Sequence, residues 1–253
     1  MIEYDEFRAM NTTILVAAEG EREAVEPGFA QVRQFIEAAE EQFSRFRETS
    51  ELTKLNRAAG QWFPVSEAMF TLLKEASEVH RRTRGLFDPT ILGALKFAGY
   101  DRSMDEIRNL DTLPVHMNFF PLSPGFDYLD LDPVRRAVWM PHEMQIDLGG
   151  IAKGWIAARA AQQLAQFTEA GAVSAGGDMV LFGAKEEAWQ ISLEDPRDSS
   201  QVLAVLHVGP GAVATSSVMK RRWQQQHLTR HHIIDPRTGS PSTSSWLSVT
   251  VYA

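Results

Sequence analysis

The spacing of apolar residues changes character several times along the chain, and each change marks a predicted element. Residues 8–19 (RAMNTTILVAAE) are dense in Thr, Ile, Leu, Val and Ala and predict a strand. Phe29, Val32, Ile36, Ala39, Phe43 and Phe46 then recur at spacings of three and four, the stripe of a helix with one face in a core. The polar stretch 47–61 predicts a loop with one helical turn around SELTKLN, and Ser66 is placed to cap a helix bearing Met69, Leu73, Ala76 and Val79. Residues 85–101 (GLFDPTILGALKFAGYD) mix Gly, aromatic and turn residues and fit no simple amphipathic element. Residues 103–134 show little periodicity and read as an excursion joining two halves.

Beyond it, short strands are predicted at 137–140 and 145–148. A helix follows from about 151 to 167, with Ile151, Trp155, Ala158, Ala161 and Leu164 on one face. Further strands are predicted near 172–174, 179–182, 189–193, 202–208, 213–214, 232–234 and 247–251. The pattern is mixed α+β, with no internal repeat and no low-complexity tail.

Composition narrows the function classes. A chain of 253 residues suits one large domain or two small, intimately packed ones. No apolar run is long enough for a helical bilayer span. A net charge of -8 argues against broad binding to nucleic acid or anionic lipid, so a phosphate ligand needs a local site. With no cysteine, disulfides, thiolate metal sites and cysteine nucleophiles are all excluded. The N-terminal MIEYDEFRAM is acidic and carries no signal region, which reads as a cytoplasmic protein; an exported form with its leader removed would look the same.

Candidate chemistry gathers in four segments. In Asp147-Leu-Gly149-Gly150-Ile-Ala-Lys153-Gly154, a Gly-rich turn opens a helix. Glycines let the backbone approach a ligand, the first helical N–H groups favour an anion, and Lys153 adds a cation. The same residues also make a plain strand–helix turn with a solvated Lys. Their order is not that of a Walker A loop, nor is the spacing that of the dinucleotide fingerprint. Ser174-Ala-Gly176-Gly177-Asp178 offers a second glycine pair, equally readable as a hairpin bend or bulge. In His231-His232-Ile-Ile-Asp235-Pro236-Arg237-Thr238-Gly239, turn signals coincide with His, Asp and Arg. There His232 is a candidate general base, while Asp235 is suited to orienting a partner and Arg237 to clamping a carboxylate. Phe87-Asp88-Pro89-Thr90 places an acid between an aromatic residue and Pro, and Phe46, Phe87 and Tyr100 are candidate stacking surfaces or plain core.

Taken in order, these segments resemble the ApbE-type FAD:protein FMN transferases over nearly the whole chain. The likeness runs from Ala9-Met10-Asn-Thr-Thr through Phe43-Ser-Arg-Phe46, Ser50-Glu-Leu-Thr-Lys-Leu-Asn56 and Gly85-Leu-Phe-Asp88-Pro-Thr90. It continues through IDLGGIAKG (146–154), Gly176-Gly177-Asp178 and Ala214-Thr215-Ser216 to HHIIDPRTG with Pro241.

The resemblance implies a single α+β domain over 1–253: two interleaved lobes of mixed and antiparallel sheet with packed helices, and a flavin site between them. It implies FAD and Mg²⁺, with the FMN half of FAD transferred to a Ser or Thr hydroxyl of an acceptor protein, or FAD hydrolysed to FMN and AMP. Carried over by position, Met10, Phe46, Leu86, Phe87, Asp88, Asp147, Lys153 and Ile234 line the FAD site. Gly176 and Gly177 bring backbone close to the ligand, Gly150 offers a carbonyl to Mg²⁺, and His232 assists catalysis. Two departures qualify this. Asn11 stands where the family usually has Gly, and the chain stops at Ala253, before the segment whose Asp and Thr hold Mg²⁺ in the family. The alternative expectation is therefore a flavin-binding homologue without catalysis.

Overall fold

The apolar stretch at 8–19 is the turning point of a hairpin and not a single strand. In this computed structural model, which describes residues 1–110, 124–184 and 188–253, strand β1 (Ile2–Ala9) pairs antiparallel with β2 (Thr12–Glu19). Only Met10 and Asn11 separate them, and both have positive φ (53° and 54°), as the two central residues of a type I′ turn require. Asn tolerates that conformation, which explains how the position normally given to Gly is filled. The alternation of β1 is masked by its acidic residues.

The remaining elements follow in order. Helix α1 (Arg22–Phe43) is followed by α2 (Glu51–Arg57), β3 (Phe63–Pro64) and α3 (Glu67–Arg82). A 3-10 turn (Pro89–Ile91) leads into α4 (Leu92–Phe97), then α5 (Met104–Arg108), a second 3-10 turn (Phe126–Tyr128), β4 (Asp130–Asp132) and β5 (Ala137–Trp139). Helix α6 (Ala152–Leu164) precedes β6 (Gly171–Ala175), β7 (Asp178–Phe182), β8 (Trp189–Glu194), β9 (Val202–Val208) and β10 (Gly211–Ser217). Last come β11 (Arg222–Gln225), β12 (Leu228–His231), β13 (Ile234–Asp235), β14 (Ser240–Pro241) and β15 (Ser248–Tyr252). No helix among the described residues is long and apolar enough to cross a membrane.

These elements fall into two units whose segments interleave. One comprises Met1–Glu40, Lys153–Lys220 and Ser245–Ala253; the other comprises Glu41–Ala152 and Arg221–Ser244. The first is built on a six-stranded sheet of order β1-β2-β6-β7-β10-β15, every pairing antiparallel. Ile14 and Val16 of β2 sit opposite Ala175 and Val173 of β6, and all four are buried. The stripe read for α1 is buried from Phe29 to Phe43: Phe29, Val32, Ile36, Ala39 and Phe43 are almost fully enclosed, each large side chain contributing about 2 kcal/mol of burial. Gly28 lets α1 close on the end of α6, since a Cβ there would lie 3.0 Å from Phe167. The β8–β9 ribbon covers a second cluster, with Trp189 and Val208 packed among Ala17, Ala172, Leu181 and Val213.

The second unit has a small three-stranded sheet of order β3-β5-β4 and two hairpins, β11–β12 and β13–β14. Ser66 caps α3 as its sequence position predicts, accepting the Met69 N–H at 3.1 Å. Two expectations fail here. Residues 145–148 form no strand, because the Asn56 side chain does a neighbour's work: its Oδ1 accepts the Ile146 N–H (2.8 Å) and its Nδ2 donates to the Ile146 carbonyl (2.9 Å). Residues 232–234 are split between strands, since β12 ends at His231 and β13 begins at Ile234. Of the excursion at 103–134, residues 111–123 lie outside the described residues, but its flanks are ordered elements. Ser103 and Glu106 form a complete capping box on α5.

Candidate functional site

The second unit carries most of the predicted positions, and Asp147 links several of them. Its Oδ1 accepts the Gly149 N–H at 2.9 Å, closing a tight turn that the Ile151 and Ala152 amides continue by donating to the Leu148 carbonyl. Its Oδ2 lies 2.8 Å from Nε of Arg45, and its own N–H donates to the Pro89 carbonyl at 2.8 Å. Gly149 is not replaceable without movement, whereas Gly150 has room for a Cβ. A Cβ on Gly149 would lie 2.9 Å from Asp147 Oδ1, and one on Gly150 would touch the Phe87 ring at 3.4 Å.

Pro89 belongs to the Phe87-Asp88-Pro89-Thr90 segment, so the segments at 147–154 and 87–90 meet at the turn. Asp88 caps the 3-10 turn, its Oδ1 accepting from both the backbone and hydroxyl of Thr90 (2.8 and 2.6 Å). Phe87 is fixed from behind, its N–H donating to the Thr83 hydroxyl (3.0 Å) and its carbonyl 2.8 Å from Nδ1 of the buried His80. Leu86, one residue earlier, is exposed.

Arg45 joins this turn to an aromatic cluster. Helix α1 ends at Phe43, so Phe46 lies past it and not on its stripe. The Phe46 ring packs 5.8 Å from Tyr100, and Tyr100 5.4 Å from Trp223. The Arg45 guanidinium sits in the wedge of the first pair, 4.1 Å from Phe46 and 4.4 Å from Tyr100, and its Nη2 donates to the Tyr100 carbonyl. Ile234 is buried in the same cluster with Leu95, Met104 and Ile107. Burial raises the Tyr100 phenol above its ordinary value, with Arg221, Arg45 and Arg108 opposing the shift. Burial and then the charge of Arg45 hold the Lys96 ammonium below its usual range.

The histidine pair divides its roles. His231 is committed to the backbone, its Nδ1 accepting the Ile233 N–H (3.3 Å) and its Nε2 lying 3.0 Å from the Ser242 carbonyl. His232 occupies the step between β12 and β13, with its Nδ1 shielded from solvent. The hairpin that follows is the turn its sequence signals. Asp235 accepts from both Nε and Nη2 of Arg237 (2.9 and 2.7 Å), the internal clamp expected of that arginine.

The first unit carries the rest, at one end of its large sheet. The type I′ turn at Met10-Asn11 and the Gly176-Gly177 turn between β6 and β7 are neighbours there, because β2 pairs with β6. A Cβ on Gly176 would strike the Thr12 hydroxyl at 2.3 Å, so only glycine, at φ +66°, permits this approach. Thr215 closes the same end by donating its N–H to the Gly177 carbonyl at 2.9 Å. Lys153 lies in the first turn of α6, and a Cβ on the adjacent Gly154 would approach Asp178 Oδ2 at 3.8 Å. Among the described residues no three His, Asp or Glu side chains cluster as a metal site.

Comparison with known proteins decides the relationship. The sequence model of the ApbE family matches residues 10–253. The chain belongs to the ApbE family. An FAD:protein FMN transferase of Vibrio cholerae is 30% identical over 228 residues, covering 87% of this chain and 67% of the relative. One from Chlamydia trachomatis is 29% identical, covering 80% of this chain and 62% of its own length. The chain thus spans about two thirds of the curated relatives it matches. The crystal structure of the ApbE protein of Thermotoga maritima superposes with a TM-score of 0.85 at 28% identity, covering all of this chain and 82% of that one. The expected α+β architecture of helices and antiparallel sheet is therefore that of the ApbE fold. Motif reading missed Arg45, Asn56, His80 and Thr12 as supports of these ApbE segments. Arg45 and Asn56 stand inside quoted blocks, but their partners are remote in sequence.

Proposed function

We propose that this chain is an FAD:protein FMN transferase that uses Mg²⁺ and releases AMP. The observation that carries the reading is the family match from residue 10 to residue 253, which includes every position assigned a role above. The curated relatives bearing that activity in their names support it.

The residues present suit FAD and supply one donor of the kind Mg²⁺ takes. Gly149 and Gly176, one in each glycine turn, leave backbone where a side chain would collide, as close approach to a large ligand needs. The carbonyl of the exposed Gly150 is a hard oxygen donor of the kind Mg²⁺ prefers. When bound, Mg²⁺ neutralises phosphate charge. Lys153 adds a point charge for the pyrophosphate, and Met10, Phe46, Leu86, Phe87, Asp88, Asp147 and Ile234 shape and hold the FAD site. His232 takes the proton of the acceptor's Ser or Thr hydroxyl at Nε2. The hydroxyl oxygen bonds to the FMN-side phosphorus, the bond from that phosphorus to the bridging oxygen breaks, and AMP leaves with that oxygen. With water in place of the acceptor, the products are FMN and AMP.

The test is incubation with FAD, MgCl₂ and a threonine-bearing acceptor protein, following AMP by chromatography and flavin on the acceptor by in-gel fluorescence. Labelled acceptor with equimolar AMP is expected. AMP without label makes the chain a hydrolase, and bound FAD with no AMP overturns the enzymatic reading in favour of a flavin-binding protein. His232→Ala should lower the rate of AMP release by about 10²–10⁴-fold with FAD affinity retained; lost affinity would refute the proton-accepting role.

A further inference from the structure

We propose that Arg45 is a positioning residue for the FAD site, holding Asp147 so that the carboxylate can shape the Leu148-Gly149-Gly150 turn. This rests on the function proposed above. Three observations converge on it. Arg45 takes Asp147 Oδ2 through Nε at 2.8 Å, while Oδ1 accepts the Gly149 amide at 2.9 Å. One carboxylate is thus oriented from both sides, and the rotation of its plane sets where the turn's backbone lies. Arg45 is itself immobilised by the Phe46 and Tyr100 rings at 4.1 and 4.4 Å and by the Tyr100 carbonyl at 2.8 Å. Finally, the pair is enclosed, with the Arg45 side chain 6% exposed and that of Asp147 15%.

Enclosure is informative because a buried ion pair is a poor source of net stability. Desolvating both charges consumes most of the attraction, and apolar residues of the same volume serve as well or better. What the pair supplies is direction. A guanidinium fixed in a wedge of two rings presents Nε along one line, so the carboxylate has one favourable orientation. A lysine would supply charge there without the planar fork.

The experiment compares the wild-type chain with Arg45→Lys, Arg45→Met, Asp147→Asn and the double variant Arg45→Met/Asp147→Asn. FAD affinity is read from flavin fluorescence, and turn order from hydrogen exchange of the peptide covering 147–152 without FAD. The expected result for Arg45→Met is a loss of FAD affinity of about tenfold, equivalent to one broken charge-assisted hydrogen bond, with faster exchange in that peptide. The double variant should be no worse than Asp147→Asn alone, because both changes act through one carboxylate. Arg45→Lys should recover part of the affinity; it also carries the test if Arg45→Met does not fold. Strictly additive losses, or a lowered melting temperature with FAD affinity and exchange unchanged, overturn the proposal and leave Arg45 a packing residue. A wild-type chain that fails to bind FAD overturns the proposed function instead. In that case the exchange data alone decide whether Arg45 orders the turn.

Discussion

Two turns in this chain each couple an aspartate to an arginine, and they could hardly be held more differently. Asp235 is gripped by Arg237, two residues along, in a pair whose side chains are 22% and 73% exposed. Asp147 is gripped by Arg45 from a distant part of the sequence, in a pair that is 15% and 6% exposed. The first forms wherever the local sequence is present, because both partners share one hairpin. The second depends on the Phe46–Tyr100 pair and the Pro89 loop, which hold its two partners from distant parts of the chain. Local pairing finishes a turn; remote pairing lets the fold dictate the geometry of a turn, which is what a binding site requires.

The largest difference should appear on removing the carboxylates. Asp147→Ala strands a buried guanidinium and should cost about 3–5 kcal/mol in denaturant unfolding. A loss as small as that of Asp235→Ala would erase the distinction. A subtler probe is alkaline pH. Tyr100 beside Arg45 has its phenol raised chiefly by burial, so the fold favours the neutral form. Unfolded chains ionise this group near pH ~10, so stability is fully present below that value and declines as pH rises through the higher folded value. Tyr100→Phe, which keeps the carbonyl that Arg45 uses, should flatten that decline. An unchanged alkaline limb would mean the cluster is open to water.

How much of this could be read beforehand depends on the range of the interactions. The α1 stripe, the Ser66 cap, the Asp235 turn and the glycine pairs were legible because their causes lie within a few residues. The hairpin at Met10-Asn11 was not, since its turn is buried in an apolar run and announces itself only through two positive φ values. Residues 145–148 look like a strand in the sequence, yet the partner of Ile146 is the side chain of Asn56. Likewise the Phe43-Ser-Arg-Phe46 block drew attention to its aromatics, while the residue that reaches Asp147 is the arginine between them. No local pattern encodes a partner from elsewhere in the chain, and those partners are what set the candidate site.

The exposed pair supplies the smallest and sharpest contrast. Arg237 holds the Asp235 carboxyl below its ordinary value, chiefly through their side-chain hydrogen bonds. A lowered folded value contributes stability above the ordinary carboxylate range and loses it as pH falls through the folded one. For so exposed a pair, water and salt screen nearly all of that contribution. Arg237→Ala should therefore leave the melting temperature at neutral pH within measurement error and steepen nothing in the acid limb at physiological salt. Repeating both melts at low ionic strength is the discriminating step, because only there should the variant and the wild type separate as the acid is added. A clear loss at physiological salt would show that Arg237 is held by more than its neighbour, and that the second turn is also set by the fold.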